Sequence, residues 1–500
     1  MNISSLFLEA ADQYPKNIAI IDKHTTIDYA WLKEDVKRTA VYFKKKGIGK
    51  GDRVLVFVPM SVDLYRIVLA LFHCGATAVF LDEWVSKKRM ELCCEIADCK
   101  GFIGIFKARV FAMFSKELRK IPVKLKVKGM LKEPCELENM HEDDTALITF
   151  TTGSTGRPKA ANRTHGFLNE QFNALLDEIE PKVGDVDMPV LPIVLFMNLG
   201  VGCTSVIADF KMSKPDKMNV GEIVSQMTRN KVNRITSSPF FITKLSEHAS
   251  RYPEVFGKIE KIFTGGAPVF PKQAELYKQA FPRTEVNVVY GSTEAEPISS
   301  IRAANLIERK GELSKGLPVG KVYHKAEVRI IKIKDEPIPT ASQEIFDSLS
   351  VEPEHIGEII VAGSHVLKKY FNNEEAFAAN KIIVGDTIWH RTGDSGHLID
   401  DELYLTGRCK QLLEVNGMAL SPFIIENQLQ EIEGVEMGTL VKLNGELILV
   451  AETNMSTEAI THHINGIEFD RIIITDIPRD PRHNSKIDYP QLENILVLRI

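Results

Sequence analysis

Residues 147–166 read LITFTTGSTGRPKAANRTHG, and this stretch decides how the chain is interpreted. It begins as a short apolar run typical of a buried strand and continues into glycine, threonine and serine, which favour turns. Because glycine permits backbone angles that other residues avoid, several amide N–H groups can converge on one point here. The pattern predicts a strand followed by about ten irregular residues that bind phosphate. A flexible surface loop is the alternative.

This predicted phosphate loop is not of the Walker A type, because Ala160 follows its lysine where that motif requires serine or threonine. Hydroxyl groups add hydrogen-bond donors to the loop, and the lysine adds a compact positive charge. The residues predicted to bind phosphate are Thr151, Thr152, Gly153, Ser154, Thr155, Gly156 and Lys159.

Length and composition exclude several classes of protein. A chain of 500 residues exceeds what one hydrophobic core organises, so at least two units are expected. With 44% hydrophobic and 26% charged residues and a net charge of -5, the chain is typical of a soluble globular protein and has no basic footprint for nucleic acid. The longest apolar run, residues 67–81, is too short to span a bilayer.

Seven irregularly spaced cysteines do not suggest a disulfide framework, and they favour a cytoplasmic location. Cys93, Cys94 and Cys99 lack the spacing and the histidines of a zinc site, so we expect buried thiols there.

Helical patterns alternate with short apolar strands through most of the chain. Residues 62–74 fit a helix and 76–81 a strand, and the same pairing recurs in 222–239 and 273–291. This alternation predicts an α/β fold with multi-layered, parallel-rich sheets. From about Lys321 the patterns become strand and turn.

A smaller segment with its own strands and helices follows residue 408. We therefore predict a large N-terminal domain over residues 1–407, a hinge at 408–410 and a small, mobile C-terminal α+β lid domain over 411–500. The active site is expected in the cleft between the two domains.

Six motifs follow one another along the chain: TTGSTGRPKA at 151–160, TGGAPV at 264–269, YGSTEAEP at 290–297, HRTGDSGHL at 390–398, GRCKQLLEVNG at 407–417 and PRHNSKID at 481–488. In this order they resemble the adenylate-forming superfamily of acyl-CoA synthetases, luciferases and nonribosomal-peptide adenylation domains, over nearly the whole chain. Residues 187–210, 330–339 and 482–487 are further similar to the β-lactone synthetases of olefin biosynthesis, which are often labelled fatty-acid CoA ligases.

The resemblance implies ATP-dependent activation of a carboxylic acid as its acyl adenylate, with release of pyrophosphate. Both reactants are anions, so the site must neutralise charge and hold them in line. Lys486 occupies the position of the family's catalytic lysine and would bridge the attacking carboxylate and the α-phosphate. Glu294 offers a hard carboxylate for Mg²⁺, and Thr293 beside it can donate to the α-phosphate.

The nucleoside is expected to meet three further side chains. Tyr290 offers an aromatic face to the adenine, Asp394 can accept from both ribose hydroxyls, and Arg408 can reach ribose or phosphate. A plain turn at Asp394 and a solvated acid at Glu294 are the alternatives. The other predicted nucleotide-binding residues are Gly265, Gly266, Ala267 and Gly291, and Lys410 falls at the family's hinge position.

The expected substrate is a fatty, 2-alkyl-3-hydroxy acid that closes to a β-lactone without coenzyme A. Glu414 stands where many ligases have a basic residue, and an acid there would repel an anionic cofactor. A fatty acyl-CoA synthetase with CoA as second substrate is one alternative, and a catalytically inactive nucleotide-binding protein is another. Residues 187–209 are expected to line part of the acyl pocket. The roles of His165 and His483 and any pathway-enzyme partners stay open.

Overall fold

A computed structural model describes residues 1–81, 87–133, 135–151, 158–211, 214–338, 340–352, 354–415, 418–461, 468–479 and 487–498. The chain divides into two compact units. Unit 1 comprises Met1–Ser237, Thr293–Glu296 and Gly363–Lys381. Unit 2 comprises Ser238–Ser292, Pro297–Ala362 and Ile382–Ile500. Two short segments that interrupt the sequence of unit 2, Thr293–Glu296 and Gly363–Lys381, therefore belong to unit 1; we call them the two excursions.

The helices are α1 (Ser4–Gln13), α2 (Tyr29–Lys45), α3 (Val62–His73), α4 (Lys87–Ala97), α5 (Phe106–Met113), α6 (Lys116–Lys120), α7 (His165–Ile179), α8 (Pro192–Val201), α9 (Val220–Asn230), α10 (Pro239–Ser246), α11 (Pro253–Phe256), α12 (Pro271–Ala280), α13 (Ala303–Glu308), α14 (Gln343–Leu349), α15 (Glu374–Asn380), α16 (Pro422–Glu431), α17 (Thr457–Thr461) and α18 (Tyr489–Val497). Short 3₁₀ turns cover Pro215–Lys217, Ala249–Arg251, Lys310–Lys315 and Cys409–Gln411.

The strands are β1 (Ile18–Ile21), β2 (Thr26–Asp28), β3 (Arg53–Phe57), β4 (Thr77–Phe80), β5 (Gly101–Gly104), β6 (Val123–Leu125), β7 (Thr145–Thr151), β8 (Lys159–Thr164), β9 (Val186–Pro189), β10 (Thr204–Val206), β11 (Arg234–Ser237), β12 (Lys261–Gly265), β13 (Glu285–Ser292), β14 (Ala295–Arg302), β15 (Leu317–Val322), β16 (Glu327–Ile331), β17 (Gly357–Ala362), β18 (Lys381–Val384), β19 (Thr387–Ile399), β20 (Glu402–Arg408), β21 (Leu413–Val415), β22 (Met418–Leu420), β23 (Val435–Leu443), β24 (Glu446–Thr453) and β25 (Arg471–Ile474).

Unit 1 contains a sheet in the order β6-β5-β3-β4-β7-β8, in which only the β7–β8 pair of the described strands is antiparallel. Successive residues of its central strand face opposite sides: Val54 and Val56 join one apolar cluster, and Leu55 joins another. Both faces of the sheet are therefore buried, as the nearly continuous apolar run predicts for a parallel strand. Strands β11, β9, β10 and β1 add a second parallel set, with β2 antiparallel at its edge.

Unit 2 combines the parallel pair β12–β13 with antiparallel strands in the order β16-β17-β19-β20-β15-β14. Its C-terminal part forms a separate sheet, β23-β24-β25, that separates two apolar clusters. Leu429 of α16 packs on one side of this sheet and Leu492 of α18 on the other. The predicted α/β class, with a smaller α+β C-terminal segment, is confirmed. The cut at 408–410 and its role as a hinge stay predictions.

One expectation about the opening stretch was wrong. The chain is not irregular for about ten residues after the first strand, because Lys159 already begins β8, which pairs with β7. His165 then begins α7, whose N-terminus is capped by the Thr164 side chain. No described helix combines the length and the apolar character that crossing a bilayer requires.

Candidate active site

A cavity in unit 2 brings together residues from five of the sequence motifs. Asp394 lies in β19 directly opposite Arg408 in β20, and Arg408 Nε approaches its Oδ1 at 3.0 Å. The Tyr290 hydroxyl donates to Asp394 Oδ2 at 2.8 Å. Burial, followed by the Asp394 charge, raises the pKa of Tyr290 well above its usual range, so the phenol stays a neutral donor. The plain-turn alternative for Asp394 fails, because the residue lies within a paired strand.

Backbone atoms form another wall of this cavity, which Gly266, Ala267 and Gly291 line. Gly265 stands opposite Val289 in the parallel pair β12–β13, and a Cβ there would lie 2.6 Å from the Val289 carbonyl oxygen. Gly266 has φ +85°, in the left-handed region that favours glycine. Close strand packing at Gly265 and the turn at Gly266 therefore both require glycine. The predicted residues of this motif lie together at the wall of the cavity.

The C-terminal segment contributes Glu426 to the same cavity, a residue that the sequence analysis missed. Its carboxylate accepts a hydrogen bond from the Thr439 hydroxyl at 2.9 Å and another from the Tyr489 hydroxyl. Burial raises the pKa of Glu426 to about 7, because no cation lies among these hydrogen-bond partners. Nothing in the sequence distinguishes this glutamate from the solvated acids common on amphipathic helices.

A second polar cluster lies in unit 1, around Glu294. The Tyr370 hydroxyl donates to Glu294 Oε1 at 3.2 Å, and the Leu367 N–H donates to the Glu294 backbone carbonyl at 2.7 Å. Only 8% of Glu294 is exposed, so the solvated-acid alternative is wrong. The short excursions of the chain into unit 1 bring these residues together.

Lys381 is the second residue that the sequence analysis missed. It is fully buried, and its ammonium group donates to the Leu367 carbonyl and lies 5.7 Å from the centroid of the Tyr370 ring. Burial lowers the pKa of Lys381 to about 7, although the Glu294 charge raises it; Lys159 lowers it further. Lysine is rarely buried, and no motif marks this one.

Two predicted residues in unit 1 have well-defined partners. Lys159 Nζ donates to Asn380 Oδ1 at 2.6 Å across 221 residues of sequence. The Thr293 carbonyl accepts from the Arg163 guanidinium at 3.1 Å. The structure thus gathers Lys159, Thr293 and Glu294 in unit 1, and it gathers Tyr290, Asp394 and Arg408 in unit 2.

Several predicted residues lie outside the described part of the chain. These are Thr152, Gly153, Ser154, Thr155, Gly156, His483 and Lys486. Thr151 ends β7. Lys410 is exposed within the short 3₁₀ turn, and Glu414 is exposed in β21.

Two smaller expectations can be resolved. His165 is buried, its Nδ1 accepts the Ile3 N–H at 3.0 Å, and burial lowers its pKa to about 4, so packing rather than helix capping explains it. Cys93 and Cys94 lie buried in α4, and burial raises the pKa of Cys94 to about 12. Buried thiols are therefore confirmed there.

The donor set suits a magnesium ion shared with a nucleotide better than a caged metal. Within the described ranges, no group of three or more histidine, cysteine, aspartate or glutamate side chains could hold a metal. Mg²⁺ usually keeps several waters and takes only one or two carboxylates together with substrate phosphates. A single buried carboxylate, Glu294, fits that pattern.

The α/β fold and the ordered motifs are those of an adenylate-forming enzyme, and comparison with known proteins agrees. The chain belongs to the AMP-binding enzyme family, whose model matches residues 7–371. It is therefore an AMP-forming ligase or synthetase.

Individual relatives of the chain include enzymes of two kinds. The chain is 28% identical over 476 residues to an olefin beta-lactone synthetase of Stenotrophomonas maltophilia (strain K279a), covering 88% of this chain and 85% of that protein. It is 27% identical over 433 residues to a 2-succinylbenzoate–CoA ligase of Bacillus subtilis (strain 168), covering 84% and 81%. A structure of O-succinylbenzoate coenzyme A synthetase from Bacillus subtilis with ATP and a magnesium ion superposes with a TM-score of 0.78, at 23% identity over 98% of this chain and 99% of that one.

Proposed function

We propose that this ligase uses ATP and Mg²⁺ to activate a fatty 2-alkyl-3-hydroxy acid and then closes the acyl adenylate to a β-lactone. The observation that carries the first step is the unit 2 cavity, where Asp394, Tyr290 and Arg408 meet beside a wall of glycine backbone. The likeness to an olefin beta-lactone synthetase over most of both chains supports the second step.

The unit 2 cavity supplies the nucleoside contacts in this proposal. Asp394 accepts from the ribose hydroxyls, and the Tyr290 and Arg408 donors hold its carboxylate in place for that contact. The Tyr290 ring and the backbone at Gly266 provide the flat, close-approach surfaces that an adenine needs.

The unit 1 cluster supplies the phosphate and metal contacts. Lys159 neutralises phosphate charge, and Glu294 is the carboxylate that holds the ion. When bound, Mg²⁺ supplies positive charge that offsets the phosphates of ATP. Tyr370 orients Glu294 by donating to one oxygen and leaves the carboxylate charge in place.

The carboxyl oxygen of the substrate attacks the α-phosphorus, the new P–O bond replaces the bond to pyrophosphate, and pyrophosphate leaves. We assign to Lys486 the charge contact that bridges the two anions as this bond forms. The 3-hydroxyl oxygen then attacks the activated carbonyl carbon. The bond from that carbon to AMP breaks, AMP leaves, and the hydroxyl proton passes to solvent. Because the nucleophile belongs to the same molecule, a strained four-membered ring becomes accessible.

Mass spectrometry of the products tests the proposal. Purified protein is given ATP, Mg²⁺ and either a 2-alkyl-3-hydroxy fatty acid or the matched acid without the hydroxyl, each with and without CoA. We expect lactone from the hydroxy acid alone, and only adenylate from the plain acid. ATP–pyrophosphate exchange with both acids reports the first step separately.

Thioester formation is the second candidate, favoured by the likeness to a CoA ligase. CoA-dependent thioester from the plain acid, with no lactone from the hydroxy acid, would replace the lactone step and keep the adenylation step. Absence of exchange with every acid would instead favour a nucleotide-binding protein without catalysis.

A further inference from the structure

Helix α5 exposes its large apolar side chains and buries small ones, which is the reverse of the pattern in a normal surface helix. At 100° per residue, Ala108 and Ala112 share the inner face, and both pack on an apolar cluster of unit 1. The opposite face carries Phe106, Val110 and Met113, and Phe114 follows it at the C-terminus of the helix. We call these four outward residues the α5 face.

Exposure on the α5 face is large. Phe106 is 79% exposed, Phe114 72% and Met113 66%, and Val110 and the neighbouring Phe111 are exposed as well. Isolated exposed apolar residues need no explanation, but contiguous ones of this size mark an interaction surface. The α5 face is therefore a candidate interaction surface.

Charge around the α5 face indicates which partner. Lys107 and Arg109 flank the apolar stripe on its two sides, since they lie about 100° and 300° around the helix from Phe106. Residues 105–120 contain five basic residues and one acidic residue, a net charge of +4 in a chain whose total is -5. Helix α6, which supplies three of those basic residues, packs directly against α5.

We propose that the α5 face docks the protein on the surface of an anionic lipid bilayer, with the aromatic side chains entering the headgroup region and the basic residues contacting lipid phosphates. A helix that lies in the membrane plane has this combination of an apolar face and basic flanks. Membrane spanning is not implied, because α5 covers only 8 residues.

A second copy of this chain is the weaker partner. In a symmetric contact the α5 face would pack on itself, and Lys107 and Arg109 would meet the same two cations of the other copy. Such like-charge pairs destabilise an interface, whereas an anionic surface is complementary to them. The inference does not depend on the proposed substrate.

Vesicle flotation tests the docking with the full chain. We expect the wild-type protein to bind vesicles of equal parts phosphatidylglycerol and phosphatidylcholine at least about tenfold better than pure phosphatidylcholine vesicles, and to be released by high salt. Phe106→Glu together with Phe114→Glu is expected to lower binding about tenfold or more. Lys107→Glu together with Arg109→Glu is expected to remove the preference for the anionic lipid.

A matched control is Ile345→Glu, because Ile345 is also an exposed apolar residue on a helix but is flanked by Glu344 and Asp347. It is expected to bind vesicles like the wild type. All variants are expected to retain ATP–pyrophosphate exchange with a short soluble acid, which shows that they are folded.

Insertion itself is tested by Phe106→Trp, which keeps an aromatic side chain in place. Its tryptophan emission is expected to shift to shorter wavelength with anionic vesicles. No binding of the wild type to anionic vesicles at low salt, or no emission shift, overturns the proposal. Light scattering that shows wild-type dimers, dissociated by Phe106→Glu with Phe114→Glu and indifferent to vesicles, also overturns it and assigns the α5 face to contact between copies.

Discussion

Unit 1 and unit 2 each hold a carboxylate assigned to the nucleotide or its metal, and they hold it with different donors. In unit 2, Asp394 accepts from Tyr290 and is paired with the guanidinium of Arg408. In unit 1, Glu294 accepts from the Tyr370 hydroxyl, and the nearby Lys381 has its pKa lowered to about 7 by burial. Asp394 is thus paired with a permanently charged guanidinium, whereas a neutral hydroxyl donates to Glu294.

The difference suits the two ligands that we propose for these carboxylates. A ribose needs an oriented hydrogen-bond acceptor, and an ion pair orients a carboxylate without removing its lone pairs. A hard cation binds carboxylate oxygens directly and keeps several of its own waters. Glu426 lines the same cavity as Asp394 and accepts hydrogen bonds from the Thr439 and Tyr489 hydroxyls. With no cation among these donors, burial raises the pKa of Glu426 to about 7.

The sharpest test of the comparison is Glu294→Gln. An amide is a poor ligand for Mg²⁺, so ATP–pyrophosphate exchange at limiting Mg²⁺ should fall by about 10²–10³-fold and recover partly when Mg²⁺ is raised. Binding of AMP without Mg²⁺, followed by calorimetry, should be unchanged. A loss that Mg²⁺ does not relieve would remove Glu294 from the metal site.

The next largest effect concerns Glu426→Gln and pH. The pKa of Glu426 is about 7 in the folded protein, against a usual value of 4.5. The folded state therefore keeps a proton that the unfolded chain loses, and the stability this adds is complete below pH 4.5 and lost as pH rises through 7. The loss amounts to about 3 kcal/mol.

Glutamine is neutral throughout this range, so the variant should match the wild type near pH 4 and exceed its free energy of unfolding at pH 8. Denaturant titrations at the two pH values measure this. Parallel pH profiles for the two proteins would show that Glu426 ionises normally.

Asp394→Ala should weaken AMP binding by about 2 kcal/mol, roughly 30-fold, because the ribose loses a charged acceptor. The Mg²⁺ dependence of exchange should not change, in contrast to Glu294→Gln. Calorimetric titration with AMP gives the affinity. If both variants weaken AMP binding equally and show the same Mg²⁺ dependence of exchange, the two carboxylates do not have separate roles.

The smallest expected effect is that of Tyr370→Phe. The ring stays over Lys381, and only the hydroxyl that donates to Glu294 is lost. We expect about 1 kcal/mol less stability and a few-fold change in the Mg²⁺ concentration for half-maximal exchange. Tyr290→Phe is the matched control in unit 2, and it should leave the Mg²⁺ response unaltered.

Sequence patterns were sufficient where chemistry follows from neighbours along the chain. Gly265 is required by close strand packing and Gly266 by a left-handed backbone conformation, and both glycines lie in the same short motif. Asp394 lies in the middle of β19 and faces Arg408 at the end of β20. A short turn joins the two strands, so antiparallel pairing alone makes these residues partners.

Lys381, Tyr370 and Glu426 could not be found this way. Their importance comes from burial and from partners distant in the chain, such as Glu294 beside Tyr370 and Thr439 beside Glu426. A lysine or glutamate on a helix or strand end looks the same in sequence whether solvent or a packed core surrounds it. The exposed α5 face had the same problem, because apolar residues on a helix predict burial.

By itself, the sequence determined the α/β class, the strands and helices of the alternating region and the set of motifs that defines an adenylate-forming enzyme. These depend on periodicity, turn chemistry and short-range spacing, which are properties of contiguous residues. Only the tertiary structure decided that two excursions of the chain carry Glu294, Tyr370 and Lys381 into unit 1. It also decided which donors surround each carboxylate, because desolvation and hydrogen bonding depend on what the fold packs around a group.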